Sequence, residues 1–121
     1  MAKNQKFKDI EDYENKLIAQ CAEMDKSRQE IAKGICKMAA FAYVEALGIM
    51  DDIIKNGWAE MFSQSEKTEP YERERPVSGI MLRLFEKYTK CISQLNNMLP
   101  SSAAAIKPDD SLTAFIAARK D

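Results

Sequence analysis

Residues 76–100, PVSGIMLRLFEKYTKCISQLNNMLP, decide the fold class. The apolar positions are Val77, Ile80, Met81, Leu84, Phe85, Tyr88, Cys91, Ile92, Leu95, Met98 and Leu99. They recur in steps of three and one, the spacing of a single apolar face on an α-helix. Pro76 suits the first helical turn, because its missing N–H has no intrahelical partner there. Pro100 disfavours helical backbone at Leu99 and ends the segment. Upstream, Phe7, Ile10, Tyr13, Leu17, Ile18, Cys21 and Met24 form a second stripe, opposite Glu11, Asp12, Glu14, Lys16 and Glu23. With the helix read from about Phe7, the three acids Glu11, Asp12 and Glu14 fall in its first turn, where the helix dipole favours them. Asp25-Lys26-Ser27 interrupts the stripe. Ser27 and Glu30 have capping-box spacing, which predicts a second helix starting at Ser27 and running to about Asn56, with Gly57 as its stop.

The middle of this second helix, KMAAFAYVEALGIM over residues 37–50, lacks a polar stripe. A helix apolar all round must be covered all round. Two coverings fit: the other two helices sandwich it, or a partner chain lies on Phe41, Ala42, Leu47, Ile49 and Met50. Gly34 and Gly48 weaken the helix but permit close approach. Residues 58–76, WAEMFSQSEKTEPYERERP, lose helical periodicity and read as a loop or short hairpin anchored by Trp58, Phe62 and Tyr71. After Pro100, SSAAAIKPDD is a linker of small and polar residues. Residues 111–120 then form a short amphipathic segment capped by Asp110. Its apolar residues Leu112, Phe115 and Ile116 fit either a peptide that docks on a partner or a helix packed back on the bundle. The expected fold is therefore all-α: a long antiparallel helical hairpin, a third core helix preceded by an irregular loop, and a short C-terminal tail helix. The core domain spans residues 1–100 and the linker and tail 101–121.

Composition narrows the chemistry. The chain of 121 residues is 45% hydrophobic and 31% charged, enough for one cored domain. It has no His, so Ser-His-Asp and Cys-His catalysis and His-ligated metals are excluded. Its four glycines form no phosphate loop. Cys21, Cys36 and Cys91 form no CxxC pair and read as reduced core thiols of an intracellular protein. No signal-peptide h-region or 18-residue apolar run is present. Asp51 and Asp52, or Glu45 with Asp52, lack a third metal ligand and read as a solvated helix end. The net charge of −1 confines any nucleic-acid contact to a local patch. Arg83, Lys87 and Lys90, at i, i+4 and i+7, with Arg73 and Arg75 in the loop, form one; Glu72, Glu74 and Glu86 interleave with them, so a solvated face is the competing reading and the one the sequence favours. Arg28, Lys33 and Lys37 form a weaker stripe beside Glu30. No catalytic constellation and no cofactor site is legible.

Gly57-Trp58-Ala59-Glu60-Met61-Phe62-Ser63-Gln64, followed by Pro70-Tyr71-Glu72-Arg73-Glu74-Arg75-Pro76, is distinctive. With Tyr88, Gln94-Leu95 and Leu99-Pro100 in the next helix, and Met38-Ala39-Ala40-Phe41 in the long one, the order resembles the short small terminase subunits of tailed phages and prophages. The resemblance covers roughly residues 8–100. It implies a non-enzymatic, cofactor-free DNA-packaging factor in the bacterial host cytoplasm, which forms a homo-oligomer, recognises viral double-stranded DNA and regulates the large terminase subunit. It carries no membrane contact and no small-molecule substrate. Arg73 and Arg75 lie on the family's loop stretch. Many members have an N-terminal helix-turn-helix; here the break at Asp25-Lys26-Ser27 is short and flanked by acidic helices. The alternative function is a helical adaptor or oligomeric interaction protein with no nucleic-acid role.

Overall fold

Helical periodicity becomes four helices in the computed structural model, which describes residues 2–119. They are α1 (Ala2–Gln20), α2 (Lys26–Asn56), α3 (Pro76–Met98) and α4 (Asp110–Ala117). Between α2 and α3 a two-stranded antiparallel hairpin pairs β1 (Ala59–Phe62) with β2 (Tyr71–Glu74). The long hairpin, third helix and tail helix of the expected all-α fold are all present, and the irregular loop contains these two short strands.

α1 runs antiparallel to α2. Tyr13 stacks on Tyr43 with ring centroids 4.2 Å apart, and Cys21 Sγ lies 4.0 Å from Cys36 Sγ. α2 is the central helix, between α1 and α3. Its contact face is built from Ala32, Cys36, Ala39, Ala40, Ala42 and Ala46, all buried. Side chains this small let neighbouring backbones approach closely. Larger residues around it fill the space: Leu17 from α1, Met24 from the turn that follows it, and Met81, Tyr88, Ile92 and Leu95 from α3. The sandwich covers two sides of α2. The third side stays open, with Ile31 64% exposed and both Met38 and Phe41 47% exposed.

Three helix starts differ from the sequence expectation. α1 begins at Ala2, so Glu11, Asp12 and Glu14 lie mid-helix and not in a first turn. α2 is capped by Asp25, whose carboxylate accepts the Arg28 N–H at 2.8 Å, and Ser27 is inside the helix. Aspartate caps as well as serine, and starting earlier lets the Gln29 amide donate to Ala22 O and Met24 O, closing the turn. α4 is capped by Asp109, with Asp110 as its first helical residue. At the far end of α2, Gly57 takes φ +85° and its N–H returns to Ile53 O, a conformation that favours glycine.

The tail belongs to the same core. Asn96 holds Ile106 by two hydrogen bonds, donating to Ile106 O at 2.8 Å and accepting from Ile106 N at 2.7 Å. Ile106 and Leu112 are both buried in the main cluster. Lys120 and Asp121, the end of the expected tail segment, lie outside the described residues.

Candidate nucleic-acid interface

The hairpin is held at its root by polar groups from both ends of the irregular segment. Arg75 N donates to Trp58 O, and its guanidinium grips Asp52 through Nη2, at 3.0 Å and 2.9 Å from the two carboxylate oxygens. Nη1 donates to Gly57 O at 2.8 Å. The buried Ser78 hydroxyl donates to Trp58 O, and Asn56 donates to Asp52 Oδ1. Asp52 is held below its ordinary carboxylate value, first by the Asn56 amide and then by Arg75. Arg73 sits directly across the ladder from Glu60 and pairs with it, Nε at 2.8 Å and Nη2 at 2.7 Å. Its guanidinium also covers the Phe62 ring at 3.5 Å from the centroid.

These contacts correct the sequence-derived patch. Arg73 and Arg75 were grouped with the α3 cations as phosphate ligands, yet both are spent on the hairpin. The Arg75 side chain is only 16% exposed. Arg83, Lys87 and Lys90 do come together. They line one shallow groove of about 220 Å³ with Glu86, on the face of α3 turned away from the core. Among the described residues none of the three lies within 4.0 Å of a carboxylate. The geometry therefore leaves a patch of three cations and one acid, three of the five cations of the expected convergence. Arg28 and Lys33 of the weaker stripe pair locally with Asp25 and Glu30.

The expected oligomer residues separate. Ala42 is 1% exposed and faces the core, so it cannot meet a partner. Ile49 and Met50 pack against the core from its edge. Leu47 lines an open cleft of about 640 Å³ between the first half of α1 and the second half of α2, together with Tyr13, Tyr43, Val44 and Gly48. Phe7, on the same sequence stripe as Tyr13 and Leu17, is 70% exposed and stays outside the cleft. Only Phe41 of the five is exposed. The tail residues also correct the docking-peptide alternative. Leu112 is fully buried, and Phe115 and Ile116 pack on the core. Phe115 stacks on Trp58 at 5.2 Å, and Arg119 lies over the same indole at 4.6 Å while pairing with Glu74. Trp58 is thus an anchor, while Tyr71 meets Phe62 edge-on and stays 47% exposed.

A polar cluster that periodicity alone does not reveal joins the helices to the tail. The Tyr13 and Tyr88 hydroxyls share a hydrogen bond of 2.6 Å. Tyr88 also accepts from Asp109 N at 2.9 Å, and Tyr43 donates to Asp109 Oδ2 at 2.7 Å. Burial pushes all three phenols above their ordinary value. Asp109 is held low, first by the Ser111 hydroxyl and then by Tyr43 and the Leu112 N–H. Each tyrosine reads as an apolar core position in the sequence; the cue was their shared helix-facing stripe, and the partner was hidden in the tail. The three cysteines are buried free thiols, as their reading as core residues requires. No described group of acids and thiols is arranged to hold a metal ion, and no described helix is long and apolar enough to cross a membrane.

No family model matches this chain, and no curated protein and no solved structure matches it either.

Proposed function

We propose that the chain is a DNA-packaging factor of the small-terminase-subunit type. It oligomerises, contacts viral double-stranded DNA and regulates the large terminase subunit, with no chemistry and no cofactor of its own. One observation carries the reading. The two stretches that bear the resemblance, residues 57–64 and 70–76, are two arms of a single hairpin, locked by Arg75 onto the end of α2. The motif residues therefore act as one unit, and the order of long helix, connecting segment and amphipathic helix is the order the resemblance implies. With Arg73 and Arg75 occupied, DNA contact falls to Arg83, Lys87 and Lys90.

The test is light scattering of the full chain with and without double-stranded DNA, at low and moderate salt. A multimer that shifts with DNA, and less so as salt rises, is the expected result. Phosphate contact releases counterions, so each lost contact lowers the slope of log K against log salt by about 0.9. The triple variant Arg83→Glu, Lys87→Glu, Lys90→Glu should flatten that slope by about 2 to 3 per subunit. Unchanged DNA affinity in this variant sinks the assigned site. A chain indifferent to DNA sinks the packaging role and favours the second reading, a helical adaptor, which draws on the near-neutral charge and the open apolar side of α2. Deleting the tail does not separate the two readings, because Leu112 is core.

A further inference from the structure

The open side of α2 has a repeat of its own. Ile31, Gly34, Met38, Phe41, Glu45 and Gly48 follow one another at alternating steps of three and four. This is the spacing of a coiled-coil seam, filled by three apolar residues, two glycines and one glutamate; it lies on the side of α2 turned from α3, and its last two members, Glu45 and Gly48, border α1. Five of its six members are exposed, Glu45 being the exception, and a Cβ built at Gly34 or Gly48 meets nothing within 4 Å. We infer that this seam docks the same seam of a second copy of the chain, with the two α2 helices antiparallel. The inference deepens the oligomer part of the proposed function and does not use its DNA part.

Orientation follows from size and charge. In the antiparallel register that pairs the layers, Ile31 faces Gly48 of the second copy, Gly34 faces Glu45, and Met38 faces Phe41. Each outer layer sets a large side chain against a glycine, and the two largest apolar groups meet at the dyad. The parallel arrangement instead sets Glu45 against Glu45 and leaves glycine against glycine at two layers, giving like-charge repulsion and voids. The flanking charges agree. The N-terminal half of α2 carries Lys26, Arg28, Lys33 and Lys37 against Glu30; the C-terminal half carries Glu45, Asp51 and Asp52 against Lys55. Antiparallel packing lays the basic half on the acidic half and satisfies the isologous symmetry of a two-fold dimer. Glu45 is already drawn aside by Lys6 at 2.7 Å, which leaves its stem on the seam.

The experiment measures the mass of the full chain in solution without DNA. The wild type is expected as a dimer or an even multiple of one. Phe41→Glu should halve that mass. Gly34→Arg is the sharper variant. It adds a side chain into open space in the monomer and removes a helical glycine, so helicity and thermal midpoint should hold or rise while the mass halves. A residue with a merely structural role would lose both together. Orientation is read by mild oxidation. The double variant Ile31→Cys, Gly48→Cys should form a disulfide-linked dimer, and Ile31→Cys alone should not, the three native thiols being buried. A monomeric wild type, a mass unmoved by Gly34→Arg and Phe41→Glu, or cross-linking by Ile31→Cys alone overturns the inference. An intact dimer that ignores DNA overturns only the packaging role, and a DNA-binding monomer overturns this interface and the oligomer part of the proposed function while leaving its DNA part standing.

Discussion

Around Tyr88 three helices and the tail meet through three hydrogen bonds, two to the Tyr88 hydroxyl and one from Tyr43 to Asp109. Tyr88→Phe removes the partner of both the Tyr13 hydroxyl and the Asp109 N–H. Leaving those groups unpaired in a buried place should cost about 1 to 3 kcal/mol, read from the urea midpoint. The signs of the titrations are fixed by burial. The folded chain holds the phenols of Tyr13, Tyr43 and Tyr88 protonated above their ordinary value, and burial pushes the Cys36 thiol up to about 12. Above about pH 9 to 10 the unfolded chain ionises these groups first. The native state then binds more protons, so stability should fall steadily with rising pH. Asp109 and Asp52 work in the other direction. Their folded values are depressed, so the stability they contribute is present above about pH 4 and is lost as pH falls through the folded values. Urea midpoints measured across pH should therefore fall away on both sides of neutrality.

For the hairpin, the decisive unit is the fork between Arg75 and the end of α2. A largely buried guanidinium that reaches Asp52 with one nitrogen and Gly57 O with the other is not reproduced by an ammonium. Arg75→Lys should therefore destabilise nearly as much as Arg75→Ala, by about 2 kcal/mol or more. Trp58, the single tryptophan, reports on it directly, since its ring packs on Phe115 and Arg119. Its fluorescence should shift toward that of exposed indole before the helical signal is lost. If the two signals moved together, the hairpin would not be an independent unit. Gly57→Ala forces a side chain onto φ +85° and should cost about 1 kcal/mol at the same junction.

Across the whole molecule, α4 and the segment before it complete the core of the three long elements. Leu112→Ala should cost about 2 to 5 kcal/mol, the range for a fully buried leucine that leaves a cavity. Removal of residues 101–121 should lower the thermal midpoint and expose apolar surface, seen as increased binding of a hydrophobic dye. A truncated chain as stable as the full one would show that the tail only rests on the bundle.

Local periodicity sufficed for every long helix, because a helix advertises its buried face at 3.6-residue spacing in its own sequence. It also sufficed for the helix ends at Gly57 and Pro100, where backbone chemistry acts within one turn. The basic face of α3 was legible for the same reason: Arg83, Lys87 and Lys90 are neighbours by helical geometry alone. Neighbours distant in the chain were not legible. Nothing local tells that Arg75 meets Asp52, that Glu60 faces Arg73, or that Asp109 reaches Tyr43 and Tyr88. A free cation and a clasped one have the same letter. The same limit applies to α2, where alanines and a phenylalanine alternate in one apolar run. Only the packed structure decided that Ala42 faces the core and Phe41 faces water, because which side of an all-apolar helix is covered depends on where the other helices lie.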